Sequence, residues 1–167
     1  DAYNPSGPRD EELWFALAYS REETFLTGDP PVLQVDTYNA ARDQEYTVDV
    51  YALSGDAYKN EMLERNRDLF DYNAERYVPS RVSGREKALS FTTPRVTGIP
   101  AQGYSGFGSG WAQPGVVFPE TLPAGHYLVG VHADDPVTGN TAWDQKLIQI
   151  NDTSVYYASM NGNGLLW

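Results

Sequence analysis

The sequence contains no cysteine. A disulfide scaffold, a Cys-ligated zinc site and a cysteine nucleophile are therefore excluded. No apolar run approaches the ~20 residues that a membrane-spanning helix requires, so direct membrane insertion is not expected. Cations are scarce: 12 Lys and Arg stand against 23 Asp and Glu, a formal net charge of −11. Phosphate backbones demand clustered Lys and Arg, so nucleic acid is not an expected partner, and an anionic membrane surface is equally unattractive. The charge itself serves solubility. There is no Gly-x-Ser-x-Gly nucleophile elbow and no phosphate-binding loop. Gly103-Tyr-Ser-Gly-Phe-Gly108 has glycine spacing but no strand–helix context, so it is not a nucleotide fingerprint. The chain opens on Asp1 without a signal peptide, as expected of a mature product or an excised piece.

What is present points to β-structure. A chain of 167 residues is long enough for one good-sized domain and buries roughly 70% of its unfolded surface without a staple. Its twelve Tyr and four Trp favour strands. Residues 1–10 are rich in Pro, Gly and Asp and read as a linker or frayed end. Leu13 to Tyr19 is a short apolar run that fits a buried strand or a helix; its aromatics favour strand, and a charged turn over Ser20 to Glu23 ends it. Gly28-Asp-Pro-Pro31 marks a sharp turn. Val32 to Tyr38 alternates. Tyr46-Thr-Val-Asp-Val-Tyr-Ala-Leu53 is the clearest strand of the first half, with Tyr46, Val48 and Val50 toward one face and Thr47 and Asp49 toward water. Ser54-Gly-Asp56 offers N-cap chemistry, and one helix is expected over about 57–77, packed against the sandwich. Ala88 to Thr93 is another strand. Residues 97–115, rich in glycine and aromatics, read as a long loop. Val116-Val-Phe118 is a short strand.

Leu122-Pro-Ala-Gly-His-Tyr-Leu-Val-Gly-Val131 is the most informative stretch. Pro123 and Gly125 form a corner, and Tyr127, Val129 and Val131 then alternate with Leu128, Gly130 and His132. A Tyr just past such a corner, entering a late strand, is the tyrosine-corner arrangement of Greek-key sandwiches, with the hydroxyl expected to bond back to the corner backbone. Asp134-Asp-Pro-Val-Thr-Gly-Asn140 signals a hairpin whose returning strand is Trp143 to Ile150. The pattern then restarts. Val155-Tyr-Tyr-Ala158, an Asn-Gly-Asn-Gly turn and Leu165-Leu-Trp167 read as strand, turn and strand. The expected organisation is a linker over 1–10, a sandwich over 11–151, and a truncated start of a following β-module over 152–167.

The corner strand, the return over Lys146-Leu-Ile-Gln-Ile150 and the restart Thr153-Ser-Val-Tyr-Tyr-Ala-Ser-Met-Asn-Gly-Asn-Gly-Leu-Leu-Trp167 resemble the junction between consecutive macroglobulin-like domains of bacterial alpha-2-macroglobulin-like proteins. Tyr46 to Leu53 followed by a helix is similar to an earlier strand and helical insert of that family. The resemblance covers about residues 32–53 and 116–167. It implies an all-β, Greek-key sandwich of the immunoglobulin/fibronectin-like, macroglobulin type with one inserted helix. It also implies a large exported multidomain protease trap, with an extracytoplasmic location. Its partners would be neighbouring domains of the same polypeptide and a protease. The thioester chemistry of such traps needs a cysteine, so no residue here inherits a catalytic role. The expected function is a non-enzymatic structural and interaction module, and the alternative is a carbohydrate-binding or adhesion sandwich.

Few residues stand out as sites, and no catalytic, cofactor or metal residues are expected. Tyr104, Phe107 and Trp111 in the long loop are candidates for stacking on a partner or a sugar, against a simpler role as a satellite cluster beneath the sandwich. Asp134, Asp135 and Asn140 put oxygens on one turn, but they lack EF-hand order and are ordinary turn residues. His126 and His132 have no zinc-type spacing. A glycosidase built on Glu22 and Glu23 or on Asp134 and Asp135 is disfavoured, because adjacent strand residues point to opposite faces. Asn151-Asp-Thr153 is a glycosylation sequon that matters only in a eukaryotic secretory setting.

Overall fold

The structure, a computed structural model, describes residues 13–17, 22–41, 43–67, 82–94, 111–112, 114–153, 157–160 and 163–166. Most of these residues lie in strands of two main sheets. In the smaller sheet β3 (Val32–Tyr38) is flanked by β1 (Trp14–Leu17), β6 (Trp111–Ala112) and β7 (Gly115–Val117), all antiparallel to it. Pro114, between β6 and β7, still supplies a carbonyl to the Val35 N–H at 3.0 Å. The larger sheet has the order β2 (Glu22–Leu26), β9 (Thr141–Asn151), β8 (Gly125–Asp134), β4 (Glu45–Leu53), β5 (Leu89–Pro94). Its pairings are antiparallel except that β2 runs parallel to β9.

The period of two decides what lies inside. On β4, Tyr46, Val48 and Val50 are fully buried, and on β8 Tyr127, Val129, Val131 and Ala133 face the same way. Leu33 and Val35 of β3 and Phe15 and Leu17 of β1 meet them from the smaller sheet. Each fully buried side chain of this kind contributes ~1.5–3 kcal/mol against the entropy of ordering the chain. Phe15 meets Tyr46 edge-on at 5.8 Å between ring centres, which joins the two sheets near one end. Carboxylates join them elsewhere. The Leu17 N–H donates to Asp144 Oδ2 at 2.9 Å, and the Leu13 N–H donates to Asp135 Oδ2 at 3.1 Å.

The corner closes as expected. Tyr127 Oη donates to the Pro123 carbonyl at 2.8 Å. Burial raises the Tyr127 phenol above its ordinary value, which keeps it a donor. Gly125 lies under that ring: a Cβ there would sit 3.4 Å from Tyr127 Oη and 3.5 Å from the ring, in ordinary van der Waals contact.

Helix α1 (Gly55–Arg67) starts where Ser54 Oγ accepts the Ala57 N–H at 3.2 Å. It lies on the outer face of the larger sheet, where Tyr58 and Met62 pack on Tyr51, Leu128 and Leu147. The helix thus begins two residues before the expected start, and 68–77 of the expected span lie outside the described residues. Two expectations are corrected. The charged turn over Ser20 to Glu23 gives way, from Glu22 on, to strand β2, because β9 offers it a parallel partner and Lys146 Nζ meets Glu23 Oε2 at 2.6 Å. The expected loop over 97–115 ends earlier, since Trp111–Ala112 and Gly115 are already strand, paired with β3. Tyr157–Met160 (β10) and Asn163–Leu166 (β11) form an antiparallel hairpin that pairs, among the described residues, with neither sandwich sheet.

Candidate functional site

The outward residues of β4, β8 and β9 come together in rows set by the strand register. Tyr51, Leu128 and Leu147 form one row, roofed by α1. Asp49, Gly130 and Gln145 form the next, and Thr47, His132 and Trp143 the one after. The middle row has no side chain at its centre. A Cβ on Gly130 would find its nearest atoms, Asp49 O and Gln145 Cγ, at 4.0 Å. The missing side chain leaves a cleft of about 620 Å³, bounded by Tyr51, Val82 and Ser83 at one end and by His132, Asp134 and Trp143 at the other. A second concavity of about 560 Å³, lined by Asp43, Glu45, Thr47, Thr92 and Pro136, shares His132 and Asp134 with the first. Together they make a groove across the sheet face. Trp143 is 51% exposed at its rim, although the other large side chains of β9 are mostly buried.

The polar groups of the groove are held in place. Asp49 Oδ1 accepts from Lys87 Nζ at 2.8 Å and from Ser90 Oγ at 2.7 Å. Burial would raise this carboxyl, but the bonds from Lys87 and Ser90 and the Lys87 charge outweigh it and hold Asp49 below its ordinary value. Burial raises the Tyr51 hydroxyl, and the Asp49 charge raises it further. Asp134 Oδ1 accepts from Thr141 Oγ1 at 2.7 Å. Thr47 and Thr92 hydroxyls lie 3.3 Å apart across β4 and β5.

Glycoside hydrolysis needs one carboxyl group kept protonated near neutral pH, and Asp49 is driven the opposite way. Asp135 is a turn residue: Oδ1 accepts the Val137 and Thr138 N–H groups, and Oδ2 accepts Thr138 Oγ1 and the Leu13 N–H. The Thr138 hydroxyl first, then the Leu13 and Val137 N–H groups, pull its carboxyl down to about 2. Lone pairs so occupied are poorly available to Ca²⁺. Among the described residues no group of three or more His, Asp or Glu is placed to hold a metal ion. Glu23 is engaged by Lys146. The His126 ring lies tilted against Tyr58 of the helix, 4.5 Å between ring centres, while His132 lines the groove, so the two histidines serve different surroundings.

Of the residues marked in the sequence as a partner-binding loop, Tyr104 and Phe107 lie outside the described residues. Trp111 is placed by its backbone in β6, on the smaller sheet, opposite Tyr38 and away from the groove. The groove residues Asp49, Gly130 and Trp143 were not singled out. The signal was there in a glycine inside an otherwise apolar strand, which marks a close approach or an open floor. A second signal was a Trp at a position whose alternation points to water. No protein-family model and no curated protein matches this chain.

Proposed function

We propose that this chain is a non-enzymatic structural and interaction module of an exported alpha-2-macroglobulin-like protease inhibitor, part of the scaffold of a protease trap. The observation that carries the reading is the order of features along the C-terminal third. The corner tied by Tyr127, the β8–β9 hairpin and then a separate β10–β11 hairpin follow one another. This is the order in which a macroglobulin-like domain hands over to the next. The strand order, with β2 parallel to β9 beside the hairpin strands, supports a Greek-key, immunoglobulin/fibronectin-like course for the sandwich. The carboxylates of Asp135, Asp144 and Glu23 are occupied by a turn, a tie between the sheets and an ion pair, which supports a role without catalysis for these three. Its partners are then the neighbouring domains of the same polypeptide and the captured protease, outside the cytoplasm.

Capture by the full-length polypeptide tests this. After incubation with a serine endoprotease such as trypsin, the expected result is a complex that still cleaves a small chromogenic peptide but no longer digests a large protein. Undiminished digestion of the large substrate at excess full-length protein sinks the proposal.

A further inference from the structure

We propose that the groove on the outer face of the larger sheet binds an extended, uncharged oligosaccharide, with the C–H face of one sugar ring laid on Trp143. The inference is independent of the protease-trap reading. It rests on shape, on one aromatic surface and on the mix of polar groups. The two concavities, about 620 and about 560 Å³, meet at His132 and Asp134, and each lies within the ~300–1,000 Å³ of small-ligand sites. Joined, they suit a chain of sugar units rather than a single compact ligand. Gly130 leaves the floor open at the middle row. Trp143 stands half exposed beside that floor, a large planar apolar surface and the one aromatic among the exposed large apolar side chains of the described residues.

The polar groups match hydroxyls, which both donate and accept. Asp49 is an ionised acceptor fixed by Lys87 and Ser90, and the Thr47 and Thr92 hydroxyls that line the second concavity either donate or accept. Two other ligand classes fit less well. An extended peptide gains its main-chain bonds at a sheet edge. The groove lies on a sheet face, over ladder groups already paired between β4, β8 and β9. A uronate or sulfated glycan meets Asp43, Glu45, Asp49 and Asp134 in a chain of net charge −11, with unfavourable charge on both sides.

Titration calorimetry of the chain with cello-, xylo-, malto- and fully N-acetylated chito-hexaose, and with oligogalacturonate as the anionic comparison, tests the proposal. At least one neutral hexaose is expected to bind, and oligogalacturonate not to. Trp143→Ala is expected to weaken that binding by about tenfold or more. Gly130→Met fills the floor and is expected to do the same. The φ of Gly130 lies outside the left-handed region and its Cβ position is open, so this variant keeps the fold, checked by an unchanged melting temperature. Gly130→Ala, smaller, is expected to weaken binding less than Gly130→Met. Absence of binding by all four neutral sugars overturns the inference. So does tighter binding of oligogalacturonate, or affinity unchanged in both Trp143→Ala and a folded Gly130→Met.

Discussion

Tyr127→Phe removes one atom and with it the bond that ties the corner to β8. The ring stays, so the packing of Tyr127 among Val129, Val131 and Ile148 is kept and the loss is confined to the 2.8 Å bond to Pro123 O. A neutral hydrogen bond contributes about 0.5–1.5 kcal/mol net. Pro123 is exposed, so water can reach its orphaned carbonyl and the desolvation penalty is small. The expected loss is therefore about 1 kcal/mol, read as a fall of about 2–4 °C in melting temperature for a domain of this size. A second handle is pH. Burial raises the folded phenol above its unfolded value, so its contribution is full below pH ~10 and is lost as pH rises through the folded value. The gap between wild type and Tyr127→Phe, followed by urea or thermal unfolding, should be constant from neutral pH to about 10 and should narrow above it. Equal stability of the two proteins at neutral pH would refute the tyrosine-corner argument. A gap that stays open above the folded phenol's titration would refute the donor role.

Three further outcomes are expected. The Asp135 carboxyl is held at about 2, well below its ordinary range, so its contribution is complete above pH ~4 and is lost as pH falls toward about 2. Wild type should lose stability over that window more steeply than Asp135→Asn in acid-titrated thermal melts. Glu23→Gln should cost about 1–3 kcal/mol by denaturant unfolding, below the 3–5 of a fully buried pair, because Glu23 is 36% exposed while Lys146 is 2% exposed. Lys146→Met should come out near neutral or stabilising in the same measurement, since an apolar side chain of similar length removes the buried cation rather than stranding it.

Much of the sandwich was legible because its strands are half buried. Where one face is core and the other is water, the period of two is written directly into the residues. Tyr46, Val48 and Val50 on β4, and Tyr127, Val129 and Val131 on β8, are the clearest cases. The cap at Ser54 and the turn at Asp135 were legible for a different reason, since they are local bonds between residues close in sequence. Strand β2 was not legible. Glu22-Glu-Thr has the look of a turn, and it is a strand because β9, more than a hundred residues on, supplies the parallel ladder. Lys146 on an inward position likewise makes sense only beside Glu23.

Sequence alone thus determined the chemistry that is absent and the local rules. There is no thiol, acidic groups outnumber basic ones, and among the described residues no helix is long and apolar enough to cross a membrane; there are alternating strands and a corner whose Tyr reaches back four residues. Tertiary structure decided the rest, because register is a relation between distant segments. Asp49, Gly130 and Gln145 are far apart in the chain and adjacent only once β4, β8 and β9 are aligned. The open floor at Gly130, and the half-exposed Trp143 beside it, exist only in that alignment.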